Sequence, residues 1–167
     1  MRPMESRTMQ RRRWASPVQW VVLAHFVIAC DGSLPVGPFG PIPGGRLSGE
    51  VVEDSIEDWS FTDSFETYAL ETRPSQPYSV TTWGVASGAD FYVPTRDPNE
   101  KAWVQYVQSD SRVRLRVGDR IYERRAVRVT DPKEFNRIIP RLGKKYDLES
   151  PSGEEMPDVW LFRLDPR

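Results

Sequence analysis

The sequence predicts a mainly β domain of the α+β class, with two short helices, standing behind a cleavable leader and a flexible tether. Three observations lead there. Short runs rich in β-branched and aromatic residues, bounded by glycine, proline or acids, recur from Ser48 onward. Two similar segments, Asp97-Pro98-Asn99-Glu100 and Asp131-Pro132-Lys133-Glu134, carry helix-start chemistry. The first 29 residues place a cationic stretch before an apolar run that ends at a small residue, the layout of an export signal.

The leader comes first. Residues 1–13 are polar and cationic, and residues 18–29 (VQWVVLAHFVIA) are apolar apart from Gln19 and His25. Twelve residues fall short of the roughly 20 that a spanning helix needs. Val27-Ile28-Ala29-Cys30 resembles the lipobox of bacterial lipoproteins, an aliphatic residue and a small residue ahead of the cysteine that receives lipid. The resemblance implies cleavage between Ala29 and Cys30 and lipid (palmitate and diacylglycerol) attached to Cys30, the only cysteine in the chain. Several acyl chains anchor firmly where one anchors marginally, each buried methylene contributing about 0.8 kcal/mol. The alternative is an ordinary secretory signal whose last residues include a buried cysteine. Arg11-Arg12-Arg13-Trp14 resembles a twin-arginine signal only at the arginines, because the apolar residues expected after the pair are absent.

The expected address is therefore the cell envelope, with the membrane as partner through a lipid anchor and the domain exposed to the periplasm or the exterior. Asp31 after the cysteine favours the inner membrane if the cell is Gram-negative. Cleavage also removes His25, the only histidine, and acylation removes the only thiol. Ser-His-Asp and Cys-His catalysis and the usual zinc sites are excluded from such a mature chain, so neither catalytic nor metal-ligating residues are expected.

Of 23 basic and 24 acidic residues, five arginines and one glutamate precede Cys30, which leaves 18 bases and 23 acids, a net charge of about -5. That balance argues against a nucleic-acid partner. Residues 31–47 hold four prolines and five glycines in seventeen positions, the composition of a tether spanning up to ~50 Å when extended. Expected boundaries are thus 1–29 for the signal, 30–47 for the lipidated cysteine and tether, and 48–167 for the domain.

Within the domain, strands are expected at 48–52, 65–72 and 78–85, with a hairpin through Ser87-Gly88 to a strand at 90–93. A second hairpin runs from the alternating 112–117 through Gly118-Asp119 into 120–129, and a last strand lies at 159–164. Trp103, Tyr106 and Val107 mark the inner face of the first helix. Phe135, Ile138, Ile139 and Leu142 mark that of the second, where Pro140 should kink or end the helix. Residues 149–157 read as a polar loop.

Taken in order, these elements resemble the split β-barrel family that binds flavins and deazaflavins, including pyridoxamine-phosphate-oxidase-like proteins and deazaflavin-dependent nitroreductases. The likeness covers about residues 48–165. It is densest from Lys101 to Glu123 (KAWVQYVQSDSRVRLRVGDRIYE) and at Val129-Thr130-Asp131-Pro132. It implies a split β-barrel, a flavin or deazaflavin as cofactor if there is one, and a homodimer. Relatives hold cofactor phosphate with a basic, glycine-containing segment before the strand at 78–85. Here that segment is 72–77, where Arg73 is the one cation and two prolines remove backbone donors. Ser79, Thr81 and Trp83 share a strand face that could bond and stack on a ring, or could be ordinary barrel alternation.

Seven arginines (Arg112, Arg114, Arg116, Arg120, Arg124, Arg125, Arg128) crowd the second hairpin. They suit anionic headgroups, or they are the solvent face of half-buried strands. Two functions remain from this reading. One is a membrane-anchored lipoprotein whose split barrel is a noncatalytic binding or structural module. The other is an exported flavin- or deazaflavin-dependent oxidoreductase, nitroreductase-like, in which the cofactor carries the hydride chemistry.

Overall fold

The computed structural model describes residues 37–148 and 158–167. Ala29, Cys30 and the expected loop at 149–157 lie outside them. Eight strands form one sheet: β1 (Glu50–Val52), β2 (Tyr68–Thr72), β3 (Tyr78–Thr82), β4 (Val85–Ser87), β5 (Asp90–Arg96), β6 (Arg112–Val117), β7 (Arg120–Arg128) and β8 (Val159–Pro166). Two helices, α1 (Ala102–Ser109) and α2 (Pro132–Tyr146), interrupt them.

The strand order is β3-β2-β6-β7-β8-β5-β4, with β1 pairing in parallel beside β7 and every other pairing antiparallel. The two ends of that order, β3 and β4, are consecutive in the chain and separated only by Trp83 and Gly84. A sheet whose far edges lie two residues apart has to curl, so the mainly β, split-barrel architecture expected from the sequence is the one found. The expected single strand at 78–85 is divided at this junction. A Cβ on Gly84 would fall 2.5 Å from the Phe91 ring and 3.1 Å from the Tyr92 carbonyl oxygen, so only glycine lets the chain pass here.

Alternation sets the layers. On β6, Val113, Leu115 and Val117 face the barrel interior, where they meet Leu70, Phe91, Val93, Trp103, Val104 and Tyr122. Helix α2 covers the opposite face of β4, β5 and β8, burying Ile138, Ile139 and Leu142 against Val85, Tyr92 and Leu161. A third small cluster joins Leu47 to Ala69 and Ile121.

The packed domain starts before Ser48. The strap, residues 37–47, is the end of the expected tether, yet it lies against the sheet. Gly44 exchanges backbone hydrogen bonds of 2.8 and 2.9 Å with Ser79 on the free edge of β3, and Leu47 is buried. Composition hid this contact, because one leucine and two backbone groups are enough to dock a segment that has no periodic pattern. The strap also explains why β2 is buried at every position, with Tyr68 and Leu70 turned inward and Ala69 and Glu71 turned toward the strap.

The two helix starts differ despite their common sequence. The Asp131 side chain accepts from the Lys133 N–H at 3.0 Å, as expected of an N-cap. Asp97 does not cap. Its backbone is left-handed (φ 50°) and its N–H is held by the Asp158 carbonyl at 2.9 Å, so a short 3-10 turn, Pro98–Glu100, comes first and α1 begins at Ala102. Asp131→Ala should therefore lower stability by about 1 kcal/mol in urea denaturation, whereas Asp97→Ala has no cap bond to lose.

Pro140 does not end α2, which continues to Tyr146. Pro140 and Asn136, whose carbonyl loses its partner, are both exposed, so that carbonyl is on the solvent side while Leu142 and Gly143 stay buried beyond it.

The start of α2 is fixed by a polar cluster. Tyr92 Oη donates to Glu134 Oε1 at 2.8 Å, and Arg163 donates to the same oxygen at 2.9 Å. Burial, then the hydrogen bond to Glu134, pushes the Tyr92 phenol from 10.0 up to about 12. Because the folded value is raised, this stabilisation is complete below pH 10 and is lost as pH climbs toward 12. Tyr92→Phe should flatten that part of a stability-against-pH profile measured by denaturant midpoints, leaving the profile near neutrality unchanged in slope.

Candidate functional site

A cleft of about 590 Å³ opens between β3, the end of β5, the start of β8, the start of α1, the middle of α2 and the strap. Its volume falls in the range of small-molecule sites, roughly 300–1,000 Å³. Val80, Trp103, Ile139 and Leu142 supply apolar wall, and Gly40, Pro41 and Pro43 of the strap form one lip. Hydroxyls come from Thr67, Tyr78, Thr81 and Thr82. Arg96 and Lys101 stand exposed at the border beside Glu100, and neither cation makes an ion pair among the described residues.

Trp83 lines the cleft and is half exposed. Its ring stacks on Tyr146 at 4.6 Å and 14°. Tyr146 is fixed in turn: its Oη accepts from the Gly84 N–H at 2.9 Å and donates to the Gly84 carbonyl at 3.0 Å. Burial raises the Tyr146 phenol above its ordinary value, which keeps the donor protonated. One residue back on α2, Lys145 Nζ donates to Tyr68 Oη at 2.5 Å, and that hydroxyl donates to the Thr62 carbonyl at 2.7 Å. Desolvation pushes Lys145 down and Tyr68 up.

Of the four expected cofactor-binding residues, Thr81 and Trp83 border the cleft and two do not. Ser79 is wholly buried on the strap side, with its Oγ unpartnered among the described residues. Arg73 has a left-handed backbone (φ 56°), donates through Nε to the Gln76 carbonyl at 2.7 Å, and lays its guanidinium 4.4 Å over the Tyr106 ring. It does not line the cleft.

Residues missed on sequence are Tyr78, Val80 and Thr82, and across the cleft Arg96 and Lys101. The signal was available for the first three. Tyr78 and Val80 are the apolar partners in the alternation, so even positions of β3 face the interior where an unfilled space opens. Thr81 joins from the other face because the strap, paired at Ser79, runs on beside it through Pro43 and Pro41.

Four of the seven hairpin arginines have partners within the fold, whereas Arg120 and Arg125 are exposed and make no ion pair among the described residues. Arg112 pairs with Asp110 at 2.6 Å and Arg114 with buried Glu71 at 2.9 Å; Arg128 lies 3.5 Å over Trp160 and Arg124 lies 5.1 Å over Trp59. The Arg112 hydrogen bonds hold the Asp110 carboxyl down at about 2.

Among the described residues, no group of acids, histidines or cysteines is placed to hold a metal ion, and no helix is long and apolar enough to cross a membrane. No protein-family model and no curated protein matches the chain. Solved structures do. A candidate pyridoxamine 5'-phosphate oxidase from Listeria innocua superposes with a TM-score of 0.52 at 16% identity, over 65% of this chain and 89% of that one. A candidate 5-nitroimidazole antibiotic resistance protein from Bacteroides thetaiotaomicron gives 0.53 at 13% identity, over 68% and 80%. HutZ, a heme storage protein of Vibrio cholerae, gives 0.50 at 15% identity, over 65% and 86%. At such identities the similarity establishes the split-barrel fold.

Proposed function

We propose that the chain is a bacterial lipoprotein, anchored through Cys30, whose split barrel binds an amphiphilic small molecule in the cleft without transforming it. The observation that carries the binding reading is the cleft itself: an apolar trough with a rigid indole at one side, a few hydroxyls, and Arg96 and Lys101 where an anionic end would lie. What favours a noncatalytic role is the placement of Arg73 away from the cleft, together with a lining that offers neither imidazole nor thiol.

The test is a titration of the domain, residues 31–167, with flavin mononucleotide, a deazaflavin and a long-chain fatty acid, followed by tryptophan fluorescence and cofactor absorbance. The expected result is saturable fatty-acid binding and none by either cofactor at high micromolar concentration. Tight cofactor binding would instead support an exported oxidoreductase, the reading suggested by the name of the Listeria innocua neighbour. Trp83→Ala should weaken the fatty acid about three- to tenfold, the range expected when one aromatic contact is lost. The anchor has its own test. A Cys30→Ala precursor should lose metabolic palmitate label and membrane retention; maturation at the same bond with full retention would sink the lipoprotein reading.

A further inference from the structure

The two most exposed large apolar side chains among the described residues are Phe39 (80%) and Ile42 (62%), and they sit together at the tip of the strap. They are held there by structure. Phe39 and Ile42 exchange backbone hydrogen bonds of 3.0 and 2.9 Å around Gly40, whose positive φ of 53° makes the turn; Pro41 stiffens the turn itself, and Pro38 and Pro43 flank it. The turn therefore presents both side chains outward instead of folding them onto the barrel. Trp83 (45%) and Leu148 (41%), which are also exposed, line the cleft whose lip is Gly40 and Pro41. Phe39 and Ile42 do not line the cleft, but they flank Gly40 and Pro41 of its lip, and exposed apolar side chains grouped beside a cleft mark an interaction surface.

We propose that this rim rests on the bilayer, so that the cleft opens toward the membrane and takes its amphiphile from there. Three features choose a lipid surface as the occupant. Cys30 is only seven residues before Gly37, so even a fully extended chain places the strap within ~25 Å of an anchored cysteine. Between Gly32 and Gly45 the sequence has no ionisable side chain, so nothing along the approach requires hydration. Arg96 and Lys101 border the same cleft and are positioned for anionic headgroups, against Glu100 alone among the cleft acids. An aromatic and an aliphatic side chain backed by cations is the pattern of interfacial contact.

The proximity step rests on the lipoprotein reading, but the surface can be tested apart from it. Unlipidated domain (residues 31–167) is floated with vesicles of phosphatidylcholine alone and of phosphatidylcholine with one-fifth phosphatidylglycerol. Wild type should co-float with the anionic vesicles, and Phe39→Ser combined with Ile42→Ser should reduce partitioning at least about tenfold, the loss expected when two apolar side chains no longer bury. Val127→Ser, at an exposed apolar residue of β7 that does not line the cleft, should leave partitioning unchanged. Thermal midpoints matching the wild type would show that the double variant is folded. Failure of wild type to float, or equal flotation of wild type and the double variant, would overturn the proposal. So would a dimer in sedimentation that the double variant dissolves while neither form floats, since the rim would then join two copies. Fatty-acid binding retained without flotation would overturn bilayer contact and leave the cleft reading intact.

Discussion

Glu71→Ala is expected to lower the unfolding free energy by about 3–5 kcal/mol, the cost of stranding one partner of a buried ion pair. Glu71 is 1% exposed and sits in β2 directly across from Arg114 of β6. Its Oε2 accepts from Arg114 at 2.9 Å and from the Leu47 N–H at 2.6 Å, while Arg114 also donates to the Leu47 carbonyl at 3.2 Å. One carboxylate thus joins two strands to the strap. Alanine leaves a guanidinium with a 14% exposed side chain and a buried N–H, both without that acceptor. Glu71→Leu combined with Arg114→Leu should recover most of the loss, because the charge left behind, more than the absent attraction, sets the penalty. Urea denaturation of the three proteins measures this. A loss below about 1 kcal/mol for Glu71→Ala would show that water reaches the pair. The single variant should also weaken fatty-acid binding, since it frees the strap that forms one lip of the cleft.

The limits of the sequence follow from the same place. Strand and hairpin positions were legible wherever one face of a strand meets the core and the other meets water, as in Val113, Leu115 and Val117 against Arg112, Arg114 and Arg116. Legibility failed where a second layer covers the outer face. Nothing local in Tyr68-Ala69-Leu70-Glu71-Thr72 says that Glu71 is buried, because its partners lie 24 and 43 residues away. The cleft was half legible for a related reason. Trp83 and Thr81 were identified from their chemistry, but Arg96 and Lys101 reach the cleft through the Asp97 turn, whose left-handed backbone depends on a bond to Asp158. Helix starts show the same contrast, for Asp131 caps through a purely local bond and Asp97 is overruled by a distant one.

Trp59→Ala is the second change with a large expected effect, about 3–5 kcal/mol, and it concerns a residue that no pattern announced. The stretch from Glu53 to Ser64 is acidic and aperiodic, and on sequence it joins no strand or helix. In the fold it closes the barrel interior. Trp59 is almost fully buried, with its ring 4.8 Å from Tyr122, 5.3 Å from Phe91 and 5.7 Å from Phe61. Its N–H bonds the Gly88 carbonyl at 2.9 Å, tying this segment to the β4–β5 turn, and its carbonyl accepts from Thr62 Oγ1 at 2.7 Å to start the 3-10 helix Ser60–Ser64. Alanine keeps both backbone bonds and removes only the indole, so the loss combines packing, the aromatic pairs and the contact of buried Arg124 over the ring. Phe91 also touches Tyr68, whose hydroxyl is bonded to Lys145 of α2, so the cavity opens toward the helix that carries Tyr146 and supports Trp83. The variant should therefore unfold at lower denaturant and quench Trp83 less well with fatty acid. Trp59→Phe should restore much of both, because a ring at this position still meets Tyr122 and Phe91. Equal destabilisation by phenylalanine and alanine would mean that the fit of the indole alone, and not the presence of an aromatic ring, holds this end of the barrel.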